Sequence, residues 1–448
     1  MIELTKDYIE NLKSIISTKD DAKAQSMLHD LYPADIAELY QELNLQEAIY
    51  LYLLMDGDKA ADVLMELDEE DRHKLLKELP NELIAKRFVD NMETDDAVDL
   101  MRELDEDTQD EILSHIKDVE QAGDIVDLLK YDEDTAGGLM GTEMIVVNEN
   151  WSMPQCIEEM RKQAEDMDEI YYVYVIDDDE RLKGVLPLQR LITNPSVSKI
   201  KHVMKKEPIS VRDSDSIEEV AETIEKYDLV ALPVVDSIGR LVGRITIDDV
   251  MDEVREQHER DYQLASGISQ DVETSDSVFT QTSARLPWLL IGMIGGLANS
   301  VILGGFEGNL ASNPKMALFI PLIGGTGGNV GIQSSAIVVQ GLANNSLKQD
   351  NILPQIMKES IVALINASII SLVVFVYNFF MLGDKGITAS VSLSLFSVVM
   401  FASIFGTLVP MTLDRLKIDP ALATGPFITI TNDIIGMMIY MFISSALT

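Results

Sequence analysis

The sequence predicts a multidomain protein of α and α+β class that ends in a polytopic α-helical membrane domain. The 448-residue chain has a net charge of −41, yet the region from Ala284 onward holds seven acidic and seven basic residues, so the whole net charge lies in the first 283 residues. The neutral region contains five long, almost uncharged stretches. Within the acidic region, helical periodicity gives way at Leu139 to short segments rich in β-branched residues. These observations predict a helical superhelix, an α+β region and a domain of five transmembrane helices.

Residues 1–138 are predicted to form the superhelix, an acidic domain of stacked short helices. Apolar residues recur there at spacings of three and four. A weak repeat of 24 residues also connects three alanines, Ala37, Ala61 and Ala85, whose flanking segments look alike. Such a repeat is typical of a stack of helix pairs, close to a helical solenoid.

The α+β region is predicted to be a tandem β-α-β-β-α repeat, with modules at 139–201 and 202–262. The predicted elements are strands Ile145–Val147, Tyr171–Ile176, Leu182–Leu186, Ile209–Val211, Leu232–Val235 and Leu241–Thr246, and a helix at Ile217–Tyr227. Residues 263–284 are predicted to form a connecting helix, and residues 285–448 the membrane domain.

The five predicted membrane spans follow the uncharged stretches. They are Leu286–Phe306, a segment within Met316–Leu347, Ile361–Leu382, Gly386–Leu413 and Pro420–Thr448. Each reaches the roughly 20 residues that are needed to cross the hydrocarbon core. Buried core helices are the alternative interpretation, but a soluble domain would need five of them in series.

Lysine and arginine positions indicate the orientation of these spans. With the acidic region in the cytoplasm, the inner loops hold Arg285, Lys348, Lys358, Arg415 and Lys417, and the outer loops hold only Lys315 and Lys385. This bias follows the positive-inside rule, so we expect a multi-pass plasma membrane protein with cytoplasmic N-terminal domains and an extracytoplasmic C-terminus. The charged first residues predict no signal peptide, and the single cysteine, Cys156, fits a reducing compartment.

Asp433 is the sharpest functional signal, because it lies near the middle of the last predicted span, in ITITNDIIG. An ionised carboxylate in hydrocarbon costs at least about 2 kcal/mol, so it should face a partner or a watery pathway. No basic residue lies inside a predicted span to pair with it. A protonated Asp bonded to a neighbouring helix is the alternative. Two copies in a dimer would form a ring of carboxylates, which is a cation-selective device.

The second predicted span contains PLIGGTGGNVGIQSS, with five glycines in eight residues. Glycines here could break the helix and expose carbonyl groups to a pore. The GxxxG spacing of Gly327 and Gly331 also fits simple close packing of helices. No lysine follows the glycines, so a phosphate-binding loop is rejected.

The acidic region predicts a sensor of divalent cations. For any single carboxylate, a solvated surface is the simpler explanation. Clusters such as Asp95-Asp96 with Asp99, and Asp248-Asp249 with Asp252-Glu253, repel each other, and divalent cations between domains would relieve that repulsion. The five histidines never fall at metal-ligand spacing, so no zinc site is predicted.

Several long motifs resemble the MgtE family of magnesium channels over essentially the whole chain. They are LYPADIAELYQEL, DEDTAGGLM, YDLVALPVVD, RLPWLL, GGTGGNVGIQS and KIDPALATGPFITITNDIIG. The resemblance implies a homodimer with an N-terminal helical domain, a pair of CBS modules, a connecting helix and five spans. It also implies a Mg²⁺ channel rather than an enzyme, with a pore between subunits that closes when cytosolic Mg²⁺ is high.

The resemblance also implies roles for individual residues. The ion pathway would include Asp433 as the pore carboxylate, together with Asn329, Gly328 and Thr429. Regulatory Mg²⁺ would bind in segments that contain Asp95, Asp96, Asp99, Glu218, Asp228, Asp249, Asp252 and Asp261, and Asp419 would lie at the inner mouth. Arg260 and Gln257 stand where acids are expected, and Gly425 stands where some relatives carry Asn.

The CBS pair is also a candidate site for an adenine nucleotide such as ATP. The second module keeps a ribose-contacting pattern of Gly243, Thr246 and Asp249, whereas Pro187 and Arg190 stand at the equivalent positions of the first. Thr246 and Asp249 are therefore the predicted nucleotide-binding residues, and a purely structural pair is the alternative.

Two other functions stay open. A coupled transporter of divalent cations working by alternating access would usually need more than one ionisable group in the membrane, and the predicted spans hold only Asp433. A membrane-tethered nucleotide sensor without transport would leave Asp433 unexplained. The strongly acidic chain is not expected to bind nucleic acid.

Overall fold

The computed structural model describes residues 4–164, 167, 170–194, 198–270, 272, 276–343, 347, 352–381, 383–423 and 425–447. The chain forms two compact units, Met1–Arg255 and Glu256–Thr448. The first contains short helices followed by two small sheets, and the second consists of helices. The predicted class, α and α+β followed by long apolar helices, is confirmed.

Short helices occupy the described residues of the first unit up to Leu128. They are α1 (Lys6–Thr18), α2 (Asp21–His29), α3 (Pro33–Tyr40), α4 (Leu45–Leu54), α5 (Gly57–Met65), α6 (Glu69–Leu76), α7 (Asn81–Arg87), α8 (Thr94–Arg102), α9 (Glu106–His115) and α10 (Val119–Leu128), with a 3₁₀ turn at Val89–Asn91. Helix α3 packs against α5, and α5 packs against α7, as the repeat predicts. The repeated Ala37, Ala61 and Ala85 lie in these three helices and are buried, which lets the helices approach closely.

Some of the acidic residues cap these helices. Asp20, Asp105 and Asp118 are the N-cap residues of α2, α9 and α10, and their carboxylates accept hydrogen bonds from backbone N–H groups of the first turn. The helix dipole also favours an anion at this position. These carboxylates therefore have a structural role, and the acidic charge is not all available to ions.

Two α+β modules follow the short helix α11 (Ala136–Leu139). Their elements are β1 (Ile145–Asn148), α12 (Met153–Gln163), β2 (Val173–Ile176), β3 (Leu182–Leu186), α13 (Leu188–Thr193), α14 (Ile200–Val203) and β4 (Lys205–Lys206), then β5 (Val211–Arg212), α15 (Ile217–Tyr227), β6 (Ala231–Val235) and β7 (Leu241–Thr246). In each sheet the first strand pairs parallel with the second, which pairs antiparallel with the third. The parallel pair requires the crossover that contains α12 or α15, so the tandem repeat is confirmed.

A 19-residue helix, α16 (Ile247–Ala265), follows β7 directly, and the next helix, α17, begins only at Val278. The connecting helix thus lies earlier in the chain than the predicted 263–284. The reason is local, because the Asp249 carboxylate accepts hydrogen bonds from the backbone N–H of Thr246 at 3.1 Å and from its hydroxyl at 2.5 Å. This capping arrangement starts the helix at the end of the strand.

The second unit contains the apolar helices. They are α17 (Val278–Gly305), α18 (Glu307–Ser312), α19 (Ile320–Ala343), α20 (Ile352–Met381), α21 (Lys385–Arg415) and α22 (Pro426–Leu447), with 3₁₀ turns at Pro314–Phe319 and Pro420–Ala423. Among the described residues, α17, α20, α21 and α22 are long and apolar enough to cross a membrane. Helix α19 has 24 residues but is rich in glycine, so the count of five spans stays a prediction.

Helix α21 lies at the centre of the helix packing, because α19, α20 and α22 all pack against it. Its buried face carries many small residues, including Ser390, Ser394, Ser403 and Gly406. Small side chains allow close approach of helices, as is common in membrane proteins. Helices α17 and α20 instead expose many large apolar side chains, as helices that contact lipid or another subunit do.

Candidate ion pathway and acidic cluster

Asp433 lies on α22 directly opposite a glycine stripe of α19. It is seven residues beyond Pro426, which places it about 10 Å along the helix from its start. A Cβ atom added at Gly324 or at Gly328 would lie 3.5 or 3.6 Å from Asp433 Oδ1. The two glycines are four residues apart and so share one face of α19. The backbone of α19 therefore lies directly behind the carboxylate, and no side chain of α19 separates the two.

The other glycines of the run hold α19 tightly in the bundle. A Cβ at Gly331 would lie 1.9 Å from Asn432 Nδ2, and one at Gly327 would lie 2.9 Å from Val398 Cγ1. Conversely, a Cβ at Gly406 of α21 would lie 2.5 Å from the Gly331 carbonyl oxygen. Helix α19 is continuous across all these glycines. Close packing, and not a broken helix, is therefore the role of the run.

The structure brings three of the four predicted pathway residues together. The Thr429 methyl carbon would lie 3.2 Å from a Cβ at Gly328, and Asp433 is one turn further along α22. The Thr429 hydroxyl donates to the Gly425 carbonyl oxygen at 2.9 Å. Asn329 is exposed and follows Gly328 on α19, so its side chain lies on an adjacent face of the helix. The pathway roles of all four residues stay predictions.

In the first unit, the predicted acidic residues Asp95, Asp96 and Asp249 form the core of a half-buried cluster. Asp95 and Asp96 are in the first turn of α8, and Asp249 is in the first turn of α16. Burial, followed by repulsion from Asp249, raises the pKa of Asp95 well above its usual range and that of Asp96 to about 7. Burial also raises the pKa of Asp249, although Thr246 donates two hydrogen bonds to it. The carboxylates thus lie where unscreened negative charge is costly.

Two further carboxylates, which the sequence analysis missed, belong to this acidic cluster. Oxygen atoms of Glu93, Asp95 and Glu143 all lie within 4.8 Å of one another. Glu143 accepts hydrogen bonds from the Thr94 N–H at 2.9 Å and from its hydroxyl at 3.0 Å, which fixes it against α8. Carboxylate oxygens are the ligands that Mg²⁺ and Ca²⁺ prefer, so the residues present fit a divalent cation.

Arg244 is the cation inside the acidic cluster. Its Nη2 lies 2.7 Å from Glu93 Oε2, its Nε donates to the Glu143 carbonyl oxygen, and its guanidinium stacks over the Tyr171 ring at 5.6 Å. It comes from strand β7, more than 100 residues along the chain from Glu93 and Glu143. No local sequence signal could therefore have placed Arg244, Glu93 and Glu143 together.

The remaining predicted metal residues lie elsewhere. Asp99 is paired with Arg102 at 3.2 Å, and burial raises its pKa to about 6. Asp252 pairs with Arg255 at 3.6 Å on an exposed surface.

Glu218 and Asp228 lie at opposite ends of α15, about 15 Å apart along the helix, so they cannot share one ion within a single chain. Asp261 lies in α16. Asp419 precedes the 3₁₀ turn at Pro420 and accepts a hydrogen bond from the Ala421 N–H at 2.7 Å.

Within the second unit, the end of α16 lies against the start of α22. Gly425 adopts a left-handed backbone with φ of 54°, and a Cβ there would lie 2.2 Å from the Ala265 carbonyl oxygen. Two residues beyond Ala265, a Cβ at Gly267 would lie 2.6 Å from Pro426 Cγ. The last turn of the connecting helix thus touches the helix that carries Asp433.

The predicted nucleotide residues, Thr246 and Asp249, are hydrogen-bonded to each other, and Asp249 is itself a member of the acidic cluster. A small open recess is lined by Glu143, Tyr171, Tyr172, Tyr174 and Arg244, among others. Glu143 and Arg244 also belong to the acidic cluster, so the recess adjoins that cluster.

Known proteins resemble the whole chain. The MgtE profile, described as a divalent cation transporter, matches residues 320–443, the MgtE intracellular N domain matches 31–134, and CBS domains match 136–196 and 200–256. The magnesium transporter MgtE of Thermus thermophilus is 31% identical over 444 residues, which cover 98% of each chain. The chain belongs to the MgtE family. The MgtE of Bacillus subtilis is 30% identical over the same coverage, and that of Enterococcus faecalis is 33% identical over 73% of this chain and 72% of its own length.

Two solved structures resemble more than half of this MgtE family member. The soluble part of a magnesium transporter superposes with a TM-score of 0.52 at 30% identity, and covers 56% of this chain and 98% of its own. The cytosolic domain of the Mg²⁺ channel MgtE in complex with ATP has the same TM-score at 32% identity, and covers 55% of this chain and 99% of its own.

Proposed function

We propose that this MgtE family member is a Mg²⁺-selective channel that imports Mg²⁺ across the plasma membrane as a homodimer and is closed by cytosolic Mg²⁺. The observation that supports it most is Asp433, a carboxylate on an apolar helix held against bare glycine backbone. Mg²⁺ sheds its water reluctantly, so a carboxylate with neighbouring backbone and amide oxygens can hold the hydrated ion through its waters. The names of the related proteins point to the same ion.

We expect the acidic cluster to control gating by binding a cation. Asp95, Asp96 and Asp249 repel one another when no cation is bound, and a divalent ion between them favours the compact form by mass action. Asp249 belongs to the first turn of α16, and the last turn of α16 touches Gly425 at the start of α22. An ion bound at Asp249 therefore acts on the same helix that ends beside the pore helix. We expect this connection to close the pathway near Asp419.

Single-channel recording in liposomes, with Mg²⁺ varied on each face, tests the proposal. Mg²⁺ currents should appear at low cytosolic Mg²⁺ and disappear as Mg²⁺ on that face rises to millimolar levels. A protein that lacks residues 1–130 should stay open at higher cytosolic Mg²⁺ than the intact chain. Closure of both proteins at the same Mg²⁺ concentration would exclude the helical domain from the sensor.

A coupled divalent cation transporter is the second candidate, and one structural observation favours it. Helix α20 begins at Ile352, nine residues before the predicted span, and therefore includes two further ionisable residues, Lys358 and Glu359. Mg²⁺ uptake that requires a gradient of a second ion, with no unitary currents, would replace the channel by this transporter. We also propose that the protein is a homodimer with the domain boundaries predicted from the sequence. Its N-terminal domains would be cytoplasmic and its C-terminus extracytoplasmic.

ATP is the proposed ligand of the CBS pair, as in the related cytosolic domain. Isothermal titration of the soluble part with ATP measures binding directly. The sequence pattern predicts that Asp249→Ala abolishes binding, whereas Asp95→Ala, in the same acidic cluster but outside the pattern, preserves it. Equal affinity of both variants and the unmodified protein would instead direct attention to the recess at Tyr171.

A further inference from the structure

A short turn after the connecting helix α16 is held in place by hydrogen bonds. Residues 265–270, the corner segment, leave α16 at Gly267, whose φ of 81° is left-handed. The Ile268 N–H donates to the Gln263 carbonyl oxygen at 2.9 Å, as is usual where a glycine ends a helix. The Gln263 side chain also bonds the backbone N–H and the carbonyl oxygen of Val272, each at 3.0 Å. The corner segment is therefore attached firmly to α16.

The corner segment is also attached to α17, the first apolar helix. Both the N–H and the hydroxyl of Ser269 donate to the Ala284 carbonyl oxygen, each at 2.9 Å. Ala284 is buried and lies three residues before Pro287, a proline inside α17. A proline removes one intrahelical hydrogen bond and displaces carbonyl groups of the preceding turn, so a donor from outside the helix can reach them. Pro287 therefore explains why α17 accepts Ser269 at this point.

The contact with α22, the helix that carries Asp433, is of another kind. Gly425 has a left-handed φ of 54°, and a Cβ there would overlap the Ala265 carbonyl oxygen. A Cβ at Gly267 would lie 2.6 Å from Pro426 Cγ. Among the described residues, no hydrogen bond joins the corner segment to α22. The two segments meet this closely because both glycine positions lack a side chain.

These contacts differ in how easily they separate. A broken hydrogen bond to α16 or α17 would leave a donor or an acceptor unpaired, whereas two surfaces in van der Waals contact lose only many weak attractions. The corner segment can therefore leave α22 while it stays attached to α16 and α17. Its contact with α22 depends on a close fit, and the two glycines provide that fit.

We propose that Gly267 and Gly425 form a latch, through which the corner segment holds the start of α22 when the pathway is closed. Pro426 begins α22, and Asp433 lies about 10 Å further along the same helix. The latch thus fixes the helix that carries the pore carboxylate at its first turn. Its role in closing rests on the proposed channel function, whereas the docking of the corner segment on α22 can be measured without transport.

Mg²⁺ flux into liposomes, at stepped cytosolic Mg²⁺, tests the latch. Gly425→Asn adds a side chain where the Ala265 carbonyl oxygen lies, and Asn tolerates a left-handed backbone better than most residues. The variant should conduct like the wild type at low Mg²⁺ and should close only at about tenfold higher Mg²⁺, because the overpacked contact is weaker. Gly383→Asn is the matched control, since Gly383 has a φ of 62° and no described atom lies within 4 Å of a Cβ there. It should close at the wild-type concentration.

Pro426→Ala tests the latch from the other helix. It removes the Cγ that faces Gly267 and adds no side-chain atom, and alanine is a good helix former. Closure should again need more Mg²⁺, by a smaller factor than in Gly425→Asn. An unchanged Mg²⁺ requirement in either variant would overturn the latch and leave the channel intact. A wild-type protein that carries no Mg²⁺ flux would instead overturn the proposed function.

Trp288 reports the docking without reference to transport. Its Cβ lies 3.7 Å from a Cβ placed at Gly267, and Trp151, in the first α+β module, is the one other tryptophan of the chain. In full-length protein with Trp151→Phe, Trp288 fluorescence should change as Mg²⁺ is added. Gly425→Asn should move the midpoint of this change to higher Mg²⁺ by the same factor as in the flux assay, and Gly383→Asn should leave it in place. A Trp288 emission that Mg²⁺ does not change, or equal midpoints in all three proteins, would overturn the proposal.

Discussion

Asp433 and the acidic cluster of Asp95, Asp96 and Asp249 use the same ligand chemistry in opposite ways. Asp433 is a single carboxylate against glycine backbone, with no hydrogen bond to its carboxylate among the described residues. The acidic cluster brings several half-buried carboxylates together, and partial burial, followed by their mutual repulsion, raises their pKa values. A site that conducts must bind an ion weakly enough to release it, whereas a sensor must hold its ion at a defined concentration. The two proposed sites therefore differ in how many carboxylates lie together, one at Asp433 and several in the acidic cluster.

Removal of the Asp433 carboxylate should have the largest effect on Mg²⁺ flux. Asp433→Ala should leave the protein folded, but loss of one partly buried charge per chain costs about 3 kcal/mol for the ion, or roughly a hundredfold in Mg²⁺ flux. Liposome flux assays measure the effect. Asp433→Asn should fail similarly if the charge matters and should pass if hydrogen bonding suffices. Undiminished flux and selectivity in Asp433→Ala would place the pathway elsewhere.

A second change tests whether the glycine wall behind Asp433 is needed. Gly331→Ala places a Cβ 1.9 Å from Asn432, and overpacking of this kind costs about 1–3 kcal/mol and should move α19 from α22. Thermal unfolding in detergent and Mg²⁺ flux should both fall. Gly325→Ala, on the same helix where no atom lies within 4 Å, is the control. Equal loss in both variants would indicate a helix-wide effect unrelated to the contact.

The acidic cluster should respond in the opposite sense when it loses a charge. Asp96→Asn relieves repulsion, so residues 1–270 should unfold at a higher temperature without Mg²⁺. The same change removes an ion ligand, so protease resistance should need about tenfold more Mg²⁺. Asp110→Asn, exposed on α9, should change neither value. An unchanged Mg²⁺ requirement in Asp96→Asn would remove Asp96 from the sensor.

The smallest effect concerns pH. Burial raises the pKa of Asp96 to about 7, of Asp99 to about 6 and of Glu103 to about 7, well above the values of an unfolded chain. Between about pH 4 and pH 7 the folded form therefore holds more protons than the unfolded chain, and the free energy of unfolding should fall as pH rises. Chemical denaturation of Mg²⁺-free residues 1–270 measures the slope. Mg²⁺ should flatten it, since the ion replaces the lost protons; a slope that Mg²⁺ leaves unchanged would contradict the site.

Most of the fold could be predicted from local patterns in the sequence. Helix α15 and strands β3 and β7 have the bounds that the sequence predicts, because period and turn residues are set within a few positions. The site was only partly predictable. Asp433 is conspicuous in an apolar span, but Arg244 reaches Glu93 from 151 positions away, a contact that no local pattern encodes. Glu359 was left out of the predicted span because its charge ended an uncharged run, whereas α20 extends through it and two serine hydroxyls from neighbouring helices donate to its carboxyl group.

The glycine stripe behind Asp433 also has a kinetic consequence. A Cβ at Gly324 or at Gly328 would lie only 3.5 or 3.6 Å from Asp433 Oδ1, so a hydrated ion does not fit between the carboxylate and the backbone of α19 and must approach from another side. A hydrated Mg²⁺ then presents one part of its water shell to the protein and keeps the rest. Since Mg²⁺ exchanges its waters reluctantly, transit without stripping the shell avoids the slowest step available to this ion. Ions that lose water readily would gain no speed at such a site, so discrimination would rest on the size of the hydrated ion.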